Sequence, residues 1–153
     1  PVQLHEMERS HIIPVYTKDN HALISQHEFI YATYNVLSEY ENLKGIMHCY
    51  SGSAEMVEMY LKLGLHISLG GPVTFKNGRV PKEVAKIVPI NKLLIETDAP
   101  YLSPHPFRGK TNEPARVKLV AEEIARLRDV SYTEIADKTA KNAYKLFNIK
   151  ELN

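Results

Sequence analysis

Two stretches of the chain end apolar runs in residues that can do chemistry. In Gly45-Ile46-Met47-His48 the run ends in an imidazole, and in Leu93-Leu94-Ile95-Glu96-Thr97-Asp98 it ends in two carboxylates, followed closely by Pro100. A proline there stops a strand, so the acidic side chains belong at the rim of an α/β core. Imidazole and carboxylate on neighbouring strand ends are the usual ligand set for a hydrolytic divalent metal. Such an ion polarises a phosphoryl or carbonyl oxygen and lowers the pKa of a bound water. His48 and Asp98 are the candidate ligands, and Asp98 can also take the water's proton as general base. The pair needs one or two more donors. The plain alternative is that Glu96 and Asp98 cap a turn or pair with a basic residue, and that His48 is structural. His21 and His27 are further imidazoles, at no telling spacing.

A second signal is Phe107-Arg108-Gly109-Lys110-Thr111-Asn112-Glu113-Pro114, with two cations around a glycine before an expected helix start. Free N–H groups and the helix dipole favour an anion there, and arginine grips phosphate bidentately. Arg108, Lys110 and Asn112 are therefore candidate substrate-binding residues. Lys76, after the Gly70-Gly71-Pro72 turn, joins them as a third cation on the same rim. A solvated turn with a well-made cap would look the same. Cys49 follows His48 and should point to the opposite face, as packing rather than as a nucleophile.

The elements that must position these residues alternate. Gly45–Tyr50 reads as a strand. Ser53 caps a helix burying Met56, Val57, Tyr60 and Leu61, and Gly64 ends it. Leu65–Leu69 is the next strand. Pro81 opens a short helix with Val84, Ile87 and Val88 inward, and Lys92–Glu96 is the third clear strand. Asn112 should cap a long helix carrying Val117, Val120, Ala121, Ile124 and Leu127 at helical spacing. Ser131-Tyr132-Thr133-Glu134 is a capping box for another helix, and a last helix around Lys141–Phe147 is anchored by Leu146 and Phe147. Upstream, His11–Tyr16 reads as a short strand and Glu28–Glu41 as a helix. Such alternation predicts right-handed βαβ units and a parallel sheet, with the chemistry at the C-terminal strand ends.

Bulk properties narrow the class. The 153 residues suit one domain, 44% apolar and 24% charged, with no apolar run long enough to cross a membrane. A net charge of +1 gives no general attraction for nucleic acid, so polyanion binding requires a local patch. The single cysteine excludes an intramolecular disulfide and fits a reducing, cytoplasmic setting. No signal-peptide pattern opens the chain, and a start at Pro1 is what a fragment or processed product would show.

Four motifs in order, His48-Cys49-Tyr50-Ser51-Gly52, Ser68–Lys76 (SLGGPVTFK), Glu96–Leu102 (ETDAPYL) and Arg108–Pro114 (RGKTNEP), resemble the TatD family of metal-dependent deoxyribonucleases. Asn142, Leu146 and Phe147 resemble its closing pattern. The resemblance runs from about residue 34 to 147; residues 1–33 diverge from it. It implies a TIM-type (β/α) barrel, of which this single partial domain would hold about the C-terminal half, since a full barrel takes about 250 residues. It further implies that His48 and Asp98 are the sixth- and eighth-strand ligands of a divalent ion, Mg²⁺ foremost and Mn²⁺ or Zn²⁺ as alternatives. The implied substrate is DNA, as single strands or strand ends. The family's first-strand His-x-His pair and its bridging Glu have no counterpart, and Tyr16 stands where another ligand histidine belongs. Two other functions stay open: an inactive domain with residual nucleic-acid binding, and metal-dependent amide or ester hydrolysis. A half barrel would expose a sheet edge and apolar interior, to be covered by a second copy or by a missing N-terminal half.

Overall fold

The structure, a computed structural model, describes residues 26–40 and 42–150. The expected strand His11–Tyr16 and the candidate ligand His21 lie outside these residues, as does the side chain of His27. The chain forms two compact units, Pro1–Val36 and Leu37–Asn153. Helix α1 (Gln26–Ser38) includes the described end of the first, and every other described element belongs to the second.

That second unit is an α/β layer built on three parallel strands, β1 (Ile46–Met47), β2 (His66–Leu69) and β3 (Leu93–Ile95), in the order β1-β2-β3. Ile46 pairs with His66 and Met47 with Ile67; across the other side Ile67 pairs with Leu93 and Leu69 with Ile95. The parallel sheet expected from the alternation is present, with three strands among the described residues where about four were expected. β2 lies in the middle, and its Ile67 and Leu69 are closed off from water together with Leu93. These residues alternate with Ser68, so one face of β2 is apolar core and the other offers a hydroxyl.

Helices α2 (Ala54–Lys62), α3 (Arg79–Ile87), α4 (Val117–Arg128) and α5 (Tyr132–Phe147) surround the strands. Val57 and Tyr60 of α2, Val84 and Ala85 of α3, Val120, Ala121 and Ile124 of α4, and Ile135 of α5 form the core with the strands. Gly64 follows α2 with φ of +86°, the left-handed exit that favours glycine. Ser131 accepts from the Glu134 N–H at 3.0 Å, which realises the serine half of the capping box.

Several expectations need correction. The capping box and the Lys141–Phe147 segment belong to one helix, α5, rather than two. Phe147 is exposed and does not anchor it; the Asn142 amide does, donating to the carbonyls of Ile90 (2.7 Å) and Leu93 (2.8 Å) at the start of β3. Ile87 lies at the solvent end of α3, and Ala85 takes its place inside. Asn112 does not cap α4, which begins at Val117 after a 3₁₀ turn at Pro114–Arg116. Strand β1 stops at Met47, and two residues on Cys49 adopts a left-handed φ of +46° that breaks the extended run.

Two further contacts lock the elements. Arg128 on α4 donates to the carbonyls of Ala85 (2.6 Å) and Val88, satisfying the orphan C-terminal groups of α3. Lys92 donates to the Gly64 carbonyl at 2.9 Å, tying the start of β3 to the end of α2.

Replacing Ile67 by Ala should cost about 2–5 kcal/mol, because the site is closed on all sides and cannot collapse; chemical denaturation measures it. His66 gives a pH test. Burial first, then Lys92 and Lys145, hold its imidazole below the ordinary histidine value. The neutral form is therefore favoured by folding, and the unfolded chain takes up the proton first on acidification. Stability is full above pH of about 6.5 and should fall as pH drops through that value. Thermal melts across that range should show a shallower acid-side loss for His66→Gln than for the wild type.

Candidate metal centre

The parallel register brings His48, Ser68 and Glu96 to adjacent strand ends. The ladder continues past the strands: Tyr50 N–H donates to the Ser68 carbonyl at 3.0 Å and Glu96 N–H to the Leu69 carbonyl at 3.0 Å. Each chain then leaves its strand through a left-handed residue, Cys49 after His48 and Asp98 itself with φ of +55°. Aspartate tolerates that conformation better than most residues, whereas cysteine gains nothing from it locally. Uncommon backbone conformations at the ends of two chemically equipped strands are what functional sites accumulate.

Three side chains meet there. His48 Nδ1 lies 3.0 Å from Glu96 Oε2, and His48 Nε2 lies 3.4 Å from Asp98 Oδ1. His48, Glu96 and Asp98 each offer one donor atom, all within 4.8 Å of one another. The imidazole is the outward member, with its side chain 66% exposed against 15% for Glu96 and 25% for Asp98. Ser68 Oγ donates to Glu96 Oε2 from beneath.

Two observations fit this group to a cation. Glu96 Oε1 is buried without a hydrogen-bond partner, an arrangement that is costly for a carboxylate unless positive charge is close. The second is the His48–Asp98 approach. His48 Nε2 and Asp98 Oδ1 stand 3.4 Å apart, a separation that one shared ion can bridge. Two donors on one ion with bonds of about 2.1 Å are separated by roughly 3.0–3.4 Å.

The surrounding loop is held firmly. Asn112 is only 4% exposed, and its amide donates to the carbonyls of Thr97 (2.6 Å) and Tyr101 (2.8 Å) while its N–H reaches the Pro100 carbonyl (2.9 Å). Its Oδ1 accepts from Glu113 N–H at 2.9 Å. Asn112, expected on the substrate face, thus holds the Asp98 loop from below. Gly71 packs against the Leu102 carbonyl so closely that any Cβ would collide with it, which explains the glycine at that position. Thr74 Oγ1 accepts from the His105 N–H at 2.7 Å, closing the same two loops together.

The cations are arranged unequally. Arg108 is exposed, stacks its guanidinium 4.4 Å over the Phe75 ring and donates to Asn77 Oδ1 at 3.2 Å. It is thereby brought to the turn that carries Lys76. Lys76 and Lys110 are exposed. Arg116, which the sequence reading passed over, lies over Phe107 at 4.3 Å and donates to Ser103 Oγ (2.8 Å) and the Thr111 carbonyl (2.6 Å), so it braces the basic loop. Cys49 is half-buried, and burial, then Asp98 and Glu96, push its thiol upward, which keeps it from acting as a nucleophile.

Glu96 is the site residue that was named in the motif but given no role. The available signal was its place in the sequence, an acid at the end of the same apolar run and two residues before Asp98.

Comparison with known proteins follows this geometry. The family model for TatD related DNase matches residues 11–148. The chain is 56% identical over 109 residues to the uncharacterized metal-dependent hydrolase YabD of Bacillus subtilis (strain 168), covering 71% of this chain and 43% of that protein. It is 45% identical over 105 residues to the uncharacterized metal-dependent hydrolase YcfH of Escherichia coli (strain K12), covering 69% and 40%. Among solved structures, the TatD homologue YjjV of Escherichia coli K12 superposes with a TM-score of 0.65 at 34% identity, over 69% of this chain and 41% of that one. A TatD family hydrolase of Entamoeba histolytica, at 21% identity and a TM-score of 0.68, shares the fold over 82% and 49%. The chain therefore spans about half the length of the relatives it matches or less. With metal-type ligands converging on the parallel strand ends and the family model covering nearly all of the described residues, the chain belongs to the TatD-related metal-dependent hydrolases.

Proposed function

We propose that this chain supplies part of the active centre of a divalent-metal-dependent hydrolase that cleaves DNA phosphodiester bonds, with Mg²⁺ as the ion. The observation that carries the reading is the approach of His48 Nε2 to Asp98 Oδ1 at 3.4 Å beside an unpartnered Glu96 oxygen. His48 and Asp98 are the residues that would hold the ion. When bound, the ion supplies Lewis-acid polarisation of the phosphoryl oxygen and a water more acidic than bulk water.

The chain's own groups account for the rest. The Asp98 carboxylate stands where it can accept the proton of the attacking water, whose oxygen forms the new bond to phosphorus as the bond to the leaving sugar oxygen breaks. Asn112 and Gly71 keep the Asp98 loop in place, so that carboxylate needs little reorganisation. Arg108, fixed on Phe75, is set to grip a backbone phosphate, with Lys76 and Lys110 adding charge at the same rim. This local patch is what a chain of net charge +1 requires in order to bind a polyanion.

The chain's coverage of its relatives bears on its partners. We take the remaining ligands and the cover for the sheet edge to come from a second copy or from the other half of a barrel. No helix among the described residues is long and apolar enough to cross a membrane. A cytoplasmic site of action is part of the same proposal, in keeping with the free Cys49.

Titration calorimetry with Mn²⁺ should show binding by the wild type that Asp98→Ala and His48→Ala abolish. On a single-stranded oligonucleotide with Mg²⁺, Asp98→Asn should lower kcat by about 10²–10⁴-fold. Failure of the wild type to bind metal would leave an inactive domain, and cleavage of an ester or amide in preference to DNA would move the substrate class. Arg108→Ala should raise KM for DNA several-fold at unchanged kcat and reduce the slope of binding against salt by about one charge. An unchanged slope would remove Arg108 from the phosphate path.

A further inference from the structure

We propose that Tyr101 is a stacking platform for a nucleobase of single-stranded DNA, set beside the candidate metal centre. The inference rests on the reading of the site as one that cleaves phosphodiesters, and it names how the substrate is seated there.

Tyr101 is 71% exposed, more than any other large hydrophobic residue among those described. The fold does not call for a ring at this position, since the core cluster is complete without it. Its backbone, by contrast, is held from both sides. The Tyr101 N–H donates to the Asp98 carbonyl at 2.8 Å, and the Tyr101 carbonyl accepts from the Asn112 amide at 2.8 Å. Tyr101 therefore stands one hydrogen bond from the candidate ligand Asp98 and one from the loop that carries Arg108 and Lys110. Next along the chain, Leu102 takes a left-handed φ of +50° and sets its carbonyl against Gly71. The ring is thus fixed at its root while most of its surface meets solvent.

That combination suits a flat partner with an apolar face. A tyrosine has few side-chain torsions, so on a held backbone it loses little freedom when it binds. The surrounding rim selects which flat partner. Arg108, Lys76 and Lys110 offer positive charge for phosphates, and Arg108 is already seated over the Phe75 ring. Single-stranded nucleic acid alternates charge with aromatic faces, and surfaces that bind it combine cations with exposed rings. A ring this close to Asp98 seats a base that flanks the scissile phosphate. Two assignments compete: a phenol hydroxyl that contacts phosphate, and a ring that packs against a second copy of the chain.

Oligonucleotide binding in the presence of a metal chelator, where no cleavage intervenes, separates these assignments. The probes are a short oligothymidylate and the same strand with a single abasic position moved along it, both followed by fluorescence anisotropy. For the wild type, the abasic position that removes the stacked base should weaken binding about ten-fold. Tyr101→Ala should weaken binding of the intact strand by about the same factor, and that abasic position should then cost nothing further. Tyr101→Phe should behave as the wild type does. The dependence of affinity on salt should keep its slope in Tyr101→Ala, because no charge is removed. Its thermal melt should match that of the wild type, as expected at an exposed position.

The proposal is overturned if Tyr101→Ala binds the intact strand as well as the wild type does, or if the abasic effect persists in that variant. A loss in Tyr101→Phe as large as in Tyr101→Ala would make the hydroxyl the contact in place of the ring. A fall in mass by light scattering in Tyr101→Ala, with oligonucleotide affinity unchanged, would assign the ring to an interface between copies. Each of these outcomes leaves the nuclease reading standing. A wild type that binds no single strand at all defeats both.

Discussion

Parallel pairing of three short strands in one register is the constraint on which this molecule depends. Met47 opposite Ile67 and Ile67 opposite Leu93 leave the strands ending nearly level. His48, Ser68 and Glu96 are consequently neighbours although they are far apart in the chain. A slip of one residue in β2 would turn Ser68 into the core and Ile67 toward the carboxylates. The apolar face of that central strand therefore secures the polar one, because exposing Ile67 and Leu69 would forfeit several kcal/mol of burial.

The chemistry is then a matter of satisfying charge at a half-buried rim. Glu96 is placed where water reaches it poorly, and there the Ser68 hydroxyl donates to it and the His48 ring stands against it. The left-handed residues Cys49 and Asp98 release the chain from the sheet at the right points, at a local conformational cost of about 1–2 kcal/mol each. Hydrogen bonds from Asn112 and the close contact of Gly71 hold the loop in that state. In this way rigidity is concentrated below the site, while the imidazole and the cations Arg108, Lys76 and Lys110 face outward.

The helices serve the same end from the opposite pole. Asn142 of α5 fastens the first residues of β3, and Lys92 fastens β3 to the turn after α2. Arg128 closes the end of α3 with two backbone carbonyls. Because each bond reaches a strand or a helix terminus, the far ends of the strands are fixed in depth, and so are the side chains they present at the rim.

By itself the sequence determined the α/β alternation, the parallel sheet, the helix ends at Gly64 and Ser131, and His48 and Asp98 as the pair that meets. Those features follow from local rules: apolar runs of strand length, glycine at a left-handed exit, a serine able to cap. The motifs also carried the family. Tertiary structure alone decided the partnerships. Asn112 looks like a helix cap or a substrate contact in sequence, yet its amide is taken up by backbone carbonyls of another loop. Glu96 looks equivalent to Asp98, but Ser68 reaches it across the sheet and His48 presents it the other ring nitrogen. Such roles depend on which groups meet across a register, and no local pattern records that.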